Sequence, residues 1–243
     1  MPQNPFETST ALTPDLARRN PEVFRRKLFE LHRSNTSLGG LVWDTLCRRN
    51  STAASRVHFD AQSWVSESFA TDGAIRLGVQ SMDKGTKERL IFEEPRFDGE
   101  REYVYRFNHE LSHLIHPYLL GVFQYKETPG HRETIEFVNT LFHMRQAGEG
   151  FTTLGNLDFY KGGGPHVQAV EDHAELLNMF SIDPAYLQRY LAFLSNPNHA
   201  PLRSSLGLTT IDTATAQYIF RNIKESYEFF FNDRHANARR SSH

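Results

Sequence analysis

The apolar positions of this chain recur mostly at helical spacing. Val104, Phe107, Leu111, Leu114 and Ile115 form one stripe, in a segment that begins near 100–103. It should stop close to His116, because Pro117 disfavours helix at the residue before it. Tyr218, Ile219, Ile223, Tyr227 and Phe230 form a second stripe, over 212–232. Further helices are predicted over 132–146, 166–180 and 183–194. Near the start, Thr13-Pro14-Asp15 reads as an N-cap followed by proline at the first helical position, opening one helix or a pair that runs to about His32. Gly39-Gly40 breaks the chain, and 41–49 is a short helical candidate. Between 57 and 92 the pattern changes: 57–59, 74–80 and 88–92 are β-rich or alternating, and 82–86 reads as a hairpin turn.

The expected fold is therefore α+β and mainly helical. A small N-terminal sheet packs on the helix that ends near His116, and a helical C-terminal half follows. A single domain over 15–232 is expected, with 15–55 as a helical N-terminal extension and disordered ends at 1–14 and 233–243.

Charge and composition narrow the function classes. A net charge of -2 over 243 residues gives no general argument for nucleic acid or an anionic membrane surface. Arg18, Arg19, Arg25, Arg26, Lys27 and Arg33 concentrate near the N-terminus, which reads as a solvated helix face before it reads as a patch for an acidic partner. The single cysteine, Cys47, permits no internal disulfide and excludes a cysteine-based zinc site. No apolar run approaches the roughly 20 residues that span a bilayer. Met1-Pro2-Gln3-Asn4-Pro5 lacks the basic start and apolar core of a secretory signal. The expected location is cytoplasmic, or outside by a route that uses no such signal. The sequence leaves the oligomeric state open.

Candidate chemistry centres on Asn108-His109-Glu110-Leu111-Ser112-His113-Leu114-Ile115-His116. Helix positions i and i+4 share a face, so His109 and His113 can aim two imidazole nitrogens at one point about 2 Å away, as a zinc ion requires. Glu110, one residue round, can reach a metal-bound water as general base without ligating the metal. With 12 histidines in 243 residues, the bare pattern arises by chance in roughly one such chain in twenty-five, so the flanks matter. The apolar stripe beside the histidines supplies a buried face, and Ser112 is small enough for another element to approach closely. The bland alternative is a surface helix with solvated histidine and glutamate.

A catalytic zinc site takes a third protein ligand and keeps its fourth position open. His116 lies about 10 Å along the axis from His109, too far for one straight helix to fold all three onto one ion. It reads instead as a helix-end histidine facing the C-terminal dipole. Glu171 is the preferred third ligand. It shares a helix face with Glu175, and Ala174 beside them permits close helix packing. Glu175 or Asp172 can then accept the other ring N–H of a ligating histidine. The bland alternative here is a solvated acidic face. Glu133, with Glu136 in support, is the rival ligand. The position four residues after it is Phe137, which cannot accept a hydrogen bond.

His109-Glu110-Leu111-Ser112-His113 followed by a later helical glutamate resembles the gluzincin class of zinc metallopeptidases. Glu171-Asp172-His173-Ala174-Glu175 resembles the glutamate helix of the anthrax-lethal-factor-like group within that class. The resemblance runs through short motifs over about 74–232. It implies a zincin-like domain, one zinc ion held by His109, His113 and Glu171, and hydrolysis of a protein or peptide substrate with Glu110 as general base. It also implies a final closing helix, here at 212–232, and a sheet whose edge strand pairs with extended substrate. The spacing from His113 to Glu133 is similar to thermolysin, but that family's Asn-Glu and following Asp are absent around Glu133. The lethal-factor-like group carries a catalytic tyrosine seven residues before its glutamate ligand. That position is Gly164 here, which leaves Tyr160, His166, His199 and Tyr218 as candidate transition-state stabilisers. A narrow-specificity effector or toxin protease fits such a site. So do a non-catalytic or regulatory metal-binding protein and a zinc hydrolase of a non-peptide amide.

Overall fold

A computed structural model describes residues 11–36, 57–60, 67–69, 74–78, 100–119, 131–152, 155–156 and 161–240. Its helices begin where local chemistry starts them. Thr13 accepts the Leu16 N–H and Pro14 follows at the first position of α1 (Pro14–Arg19). Asn20 caps α2 (Pro21–Asn35) through the Val23 N–H, again with proline next. Asp183 does the same for the helix that begins at Pro184, accepting the Ala185 N–H. Each cap satisfies a donor that the first helical turn leaves without a partner, and the proline lacks the donor altogether.

Three short strands follow: β1 (Val57–Asp60), β2 (Glu67–Phe69) and β3 (Ala74–Gly78). β3 lies between the others, parallel to β1 with Val57 opposite Ile75, and antiparallel to β2 with Ser68 opposite Ile75. The rest is helical: α3 (Glu100–Leu119), α4 (His131–Gln146), α5 (Gly164–Ile182), α6 (Pro184–Ser195), a 3₁₀ turn (Pro197–His199), α7 (Ala200–Ser205) and α8 (Thr213–Arg240).

The expected α+β architecture is corrected by this arrangement. Helix makes up most of the described residues, and the three short strands supply only 12 of them, so the fold is mainly helical rather than α+β. The reason is proportion, since the strands are three to five residues each and most of the helices are far longer. Among the described side chains, the hydrophobic core is drawn from α3, α4, α5, α6, α8 and the connections between them. Local alternation reports on a short stretch of backbone, whereas the class of a fold is set by which elements bury the apolar surface.

Two boundaries also differ from the sequence reading. α3 runs through Pro117 to Leu119. The proline falls in its last turn, where it removes only the N–H that would have bonded to residue 113. α8 extends to Arg240, beyond the expected 232. The helix at 41–49, the turn at 82–86, the strand at 88–92 and the first ten residues of the disordered segment expected at 1–14 lie outside the described residues, while Thr13 and Pro14 of that segment open α1. Among the described residues, no helix is long and apolar enough to cross a membrane.

α5 is the axis of the fold, packed by α3, α4, α6 and α8. From Glu171 to Ile182 every residue of it is buried, six polar ones included. α2 lies on the other flank of α3. Its buried residues, Phe24, Leu28 and His32, recur every fourth position. Phe24 meets Tyr103 edge-on at 5.4 Å, and Phe29 stacks on Phe107 at 5.5 Å between ring centroids. Arg18 pairs with Asp15 and Arg25 with Glu22 within their own helices, and Lys27 pairs with Glu100 across to α3.

Candidate metal centre

The centre forms where α3 and α5 press together. On α3 the residues facing α5 are Tyr105, Asn108, His109 and Ser112, the i, i+3, i+4, i+7 set of one helix face. Ser112 turns its hydroxyl back to the Asn108 carbonyl at 2.9 Å and so presents little bulk. On α5, Glu171, Glu175 and Asn178 form the matching row, and Ala174 between them is fully buried.

His109 Nε2, His113 Nε2 and Glu171 Oε2 lie mutually close: 3.0 Å between the nitrogens, and 3.3 Å from each to the carboxylate oxygen. Ligands about 2.0–2.1 Å from a tetrahedral ion stand about 3.3 Å apart, so these three atoms already mark one face of such a site. His109, His113 and Glu171 form a group that could hold a metal ion. Two imidazoles and one carboxylate suit a first-row transition metal or zinc better than a hard, all-oxygen cation. His109 and Glu171 are buried, and His113 is the most exposed of the three, with 16% of its side chain accessible.

The second nitrogen of His109 is also committed. Nδ1 lies 2.8 Å from Glu175 Oε2. An ionised carboxylate only accepts, so Nδ1 bears the proton and Nε2 is left to face Glu171 and His113. Burial alone would lower the His109 pKa, but hydrogen bonds to Glu171 and Glu175 and the charges of Glu175 and Glu110 outweigh it and raise it to about 10. Burial likewise pushes the Glu171 carboxyl up, and the two histidines pull it down further, to about 2. The protein alone thus holds a proton where the ion would sit, and an ion entering would release it.

Of the other residues singled out in the sequence, Glu110 is buried on α3, close enough for its charge to act on His109. Asp172 does not support a histidine. It faces α4, where Arg145 grips both its oxygens at 2.5 Å and Thr152 adds its N–H and hydroxyl at 3.1 and 2.7 Å. The Glu133 and His116 side chains and all of Tyr160 lie outside the described residues, whereas Glu136 is exposed. His166 packs against Phe142, His199 against Phe193, and Tyr218 against Phe137. Phe137 in turn meets His173, which a helix of 3.6 residues per turn directs away from Glu171 and Glu175. Gly164, where the lethal-factor-like group has its tyrosine, opens α5 at φ 79°, a conformation that side-chain-bearing residues rarely adopt.

The sequence reading missed Tyr105, Asn178 and Arg145. Tyr105 donates to Glu175 Oε1, and Asn178 Nδ2 donates to Glu175 Oε2 at 3.2 Å. Their helical spacing from His109 and Glu175, four and three residues, was the available signal. No protein-family profile matches the chain, and neither does any curated protein or solved structure.

Proposed function

We propose that this protein is a zinc-dependent metallopeptidase of gluzincin type. The observation that carries the reading is the 3.0–3.3 Å triangle of His109 Nε2, His113 Nε2 and Glu171 Oε2, with Glu175 fixing the tautomer of His109. Zinc in that triangle would polarise a scissile carbonyl and acidify a water at its remaining position. His109, His113 and Glu171 would hold the ion, and Glu175 orients His109. Glu110 takes the proton of the attacking water and passes it to the leaving amine. The substrate class in this reading is a protein or peptide.

Burial favours a second reading, a non-catalytic metal site, since His109, Glu110 and Glu171 are all below 8% exposed. Such a site has no need of a carboxylate beside its ligands, and one experiment separates the two. Metal content and cleavage of a broad peptide library are measured for the wild type and for Glu110→Gln. The metallopeptidase reading expects one zinc per chain in both proteins, with cleavage falling about 10²–10⁴-fold in the variant. Full cleavage by the variant would overturn the assignment of Glu110. A wild type that binds zinc and cleaves nothing favours the non-catalytic site, and one that takes up no ion defeats both readings.

A further inference from the structure

Glu175 is held from three sides. Its Oε1 receives the Tyr105 hydroxyl, and its Oε2 receives His109 Nδ1 at 2.8 Å and Asn178 Nδ2 at 3.2 Å. Asn178 is itself held. Asn108 Nδ2 donates to Asn178 Oδ1 at 2.7 Å and reaches the Asn178 backbone carbonyl at 3.4 Å. A backbone carbonyl can only accept, which fixes the orientation of the Asn108 amide. Asn108 Oδ1 therefore faces α2, where His32 Nε2 lies 3.0 Å away and must carry a proton. A directed chain results. His32 donates to Asn108, Asn108 to Asn178, and Asn178 to Glu175, on whose carboxylate Tyr105 and His109 also converge. It crosses from α2 through α3 to α5, and His32, Asn108, Asn178, Glu175 and Tyr105 are each 2% exposed or less.

Such a chain is a poor device for stability alone. Desolvating polar side chains is costly, and apolar residues of similar volume often serve a core as well or better. What the chain supplies is direction, since each amide has only one orientation that satisfies its neighbours. At its end it fixes the rotation of a carboxylate whose partner is a candidate ligand. Ligating histidines depend on such partners for ring orientation and basicity.

We propose that Tyr105, Asn108 and Asn178 are positioning residues of the metal centre, and that His32 anchors the far end of their chain on α2. The N-terminal helix is thereby part of the site's support. The inference rests on the metal-centre reading and is tested beside it. The affinity of purified full-length protein for Zn²⁺ is measured by competition with a chromophoric chelator, the visible absorption of the Co²⁺-substituted protein is recorded, and denaturant unfolding of the stripped protein is followed separately. Tyr105→Phe keeps the ring and removes one donor, and Asn178→Leu removes the amide at nearly constant volume. Both should weaken zinc binding about 10–100-fold and shift the Co²⁺ band, with His32→Phe giving a smaller, several-fold loss. Zinc affinities within about threefold of wild type for Tyr105→Phe and Asn178→Leu, whatever happens to stability, would overturn the proposal. If Asn178→Leu does not fold, Tyr105→Phe decides alone. A wild type that binds no zinc in the same titration overturns the metal-centre reading and this one with it. A wild type that binds while both variants match it removes only the positioning roles.

Discussion

Glu171 and Asp172 are neighbours on α5 and have opposite surroundings. Both are carboxylates in a buried stretch, at 7% and 0% exposure. Asp172 looks towards α4 and finds a guanidinium, with both its oxygens taken by Arg145. Glu171 looks towards α3 and finds two imidazoles. A guanidinium is charged at any ordinary pH, so the first pair has no proton on its cation to exchange, although burial pushes the Asp172 carboxyl above its ordinary range. An imidazole can carry a proton or give its lone pair to a metal, so the second group can exchange one cation for another. One turn of helix thus offers a fixed ion pair and an exchangeable site. The difference lies in what packs on each side of α5, Arg145 and Thr152 on one and the α3 histidines on the other.

Exchanging the two losses gives the sharpest test of that contrast. Glu171→Ala should act first on zinc binding, weakening it by more than the roughly 100-fold that loss of an outer partner costs. Asp172→Ala should do the reverse. It leaves the Arg145 charge buried without its carboxylate, at about 3–5 kcal/mol in denaturant unfolding, while the folded fraction keeps its zinc affinity. Similar behaviour of the two variants in both assays would erase the distinction.

The exchangeable side should give stability a pH dependence with two limbs. In zinc-stripped protein, the folded His109 pKa of about 10 lies above its ordinary 6.5. Its contribution is full below pH 6.5 and is lost as pH rises through about 10. Glu171, lowered from 4.5 to about 2, contributes fully above pH 4.5 and loses that contribution as pH falls through about 2. Both are present together between pH 4.5 and 6.5, where these two groups favour the fold most. With zinc bound, the loss at alkaline pH should be reduced, because Nε2 then carries an ion instead of a proton. A series of denaturant titrations with and without zinc checks both limbs.

A smaller effect should appear on the fixed side alone. A Cβ at Gly155 would overlap the Arg145 guanidinium and come within 2.7 Å of Asp172 Oδ1. Gly155→Ala should cost about 1–3 kcal/mol by overpacking and leave zinc affinity unchanged.

Much of the exchangeable site was legible because its geometry is local. His109 and His113 are one helical turn apart, as are Glu171 and Glu175, and spacing alone puts each pair on a face. What spacing does not say is which faces meet. The Arg145–Asp172 pair spans 27 residues and the Asn108–Asn178 amide contact spans 70, and neither residue type announces its partner. The basic N-terminal segment shows the same limit. Its arginines and lysine were conspicuous in the sequence, but the residue that ties α2 to the rest through a buried polar contact is His32. The α+β expectation failed for a related reason. The alternation at 74–80 describes a few residues of backbone, while the class of the fold follows from the helices that make up most of the described chain.

The Arg145–Asp172 fork also laces a loop. Besides Asp172, Arg145 reaches Asn156 Oδ1 at 2.5 Å and the Thr152 carbonyl at 3.5 Å, and the Gly155 N–H closes onto Thr152 Oγ1 at 3.1 Å. Thr152, Gly155 and Asn156, on the way from α4 to α5, are therefore sewn down by a side chain from each of those helices. Anyone transplanting α3 and α5 into another scaffold to borrow their histidines and glutamates would have to carry this seam as well. Without it the buried Asp172 would arrive in the graft as a stranded charge.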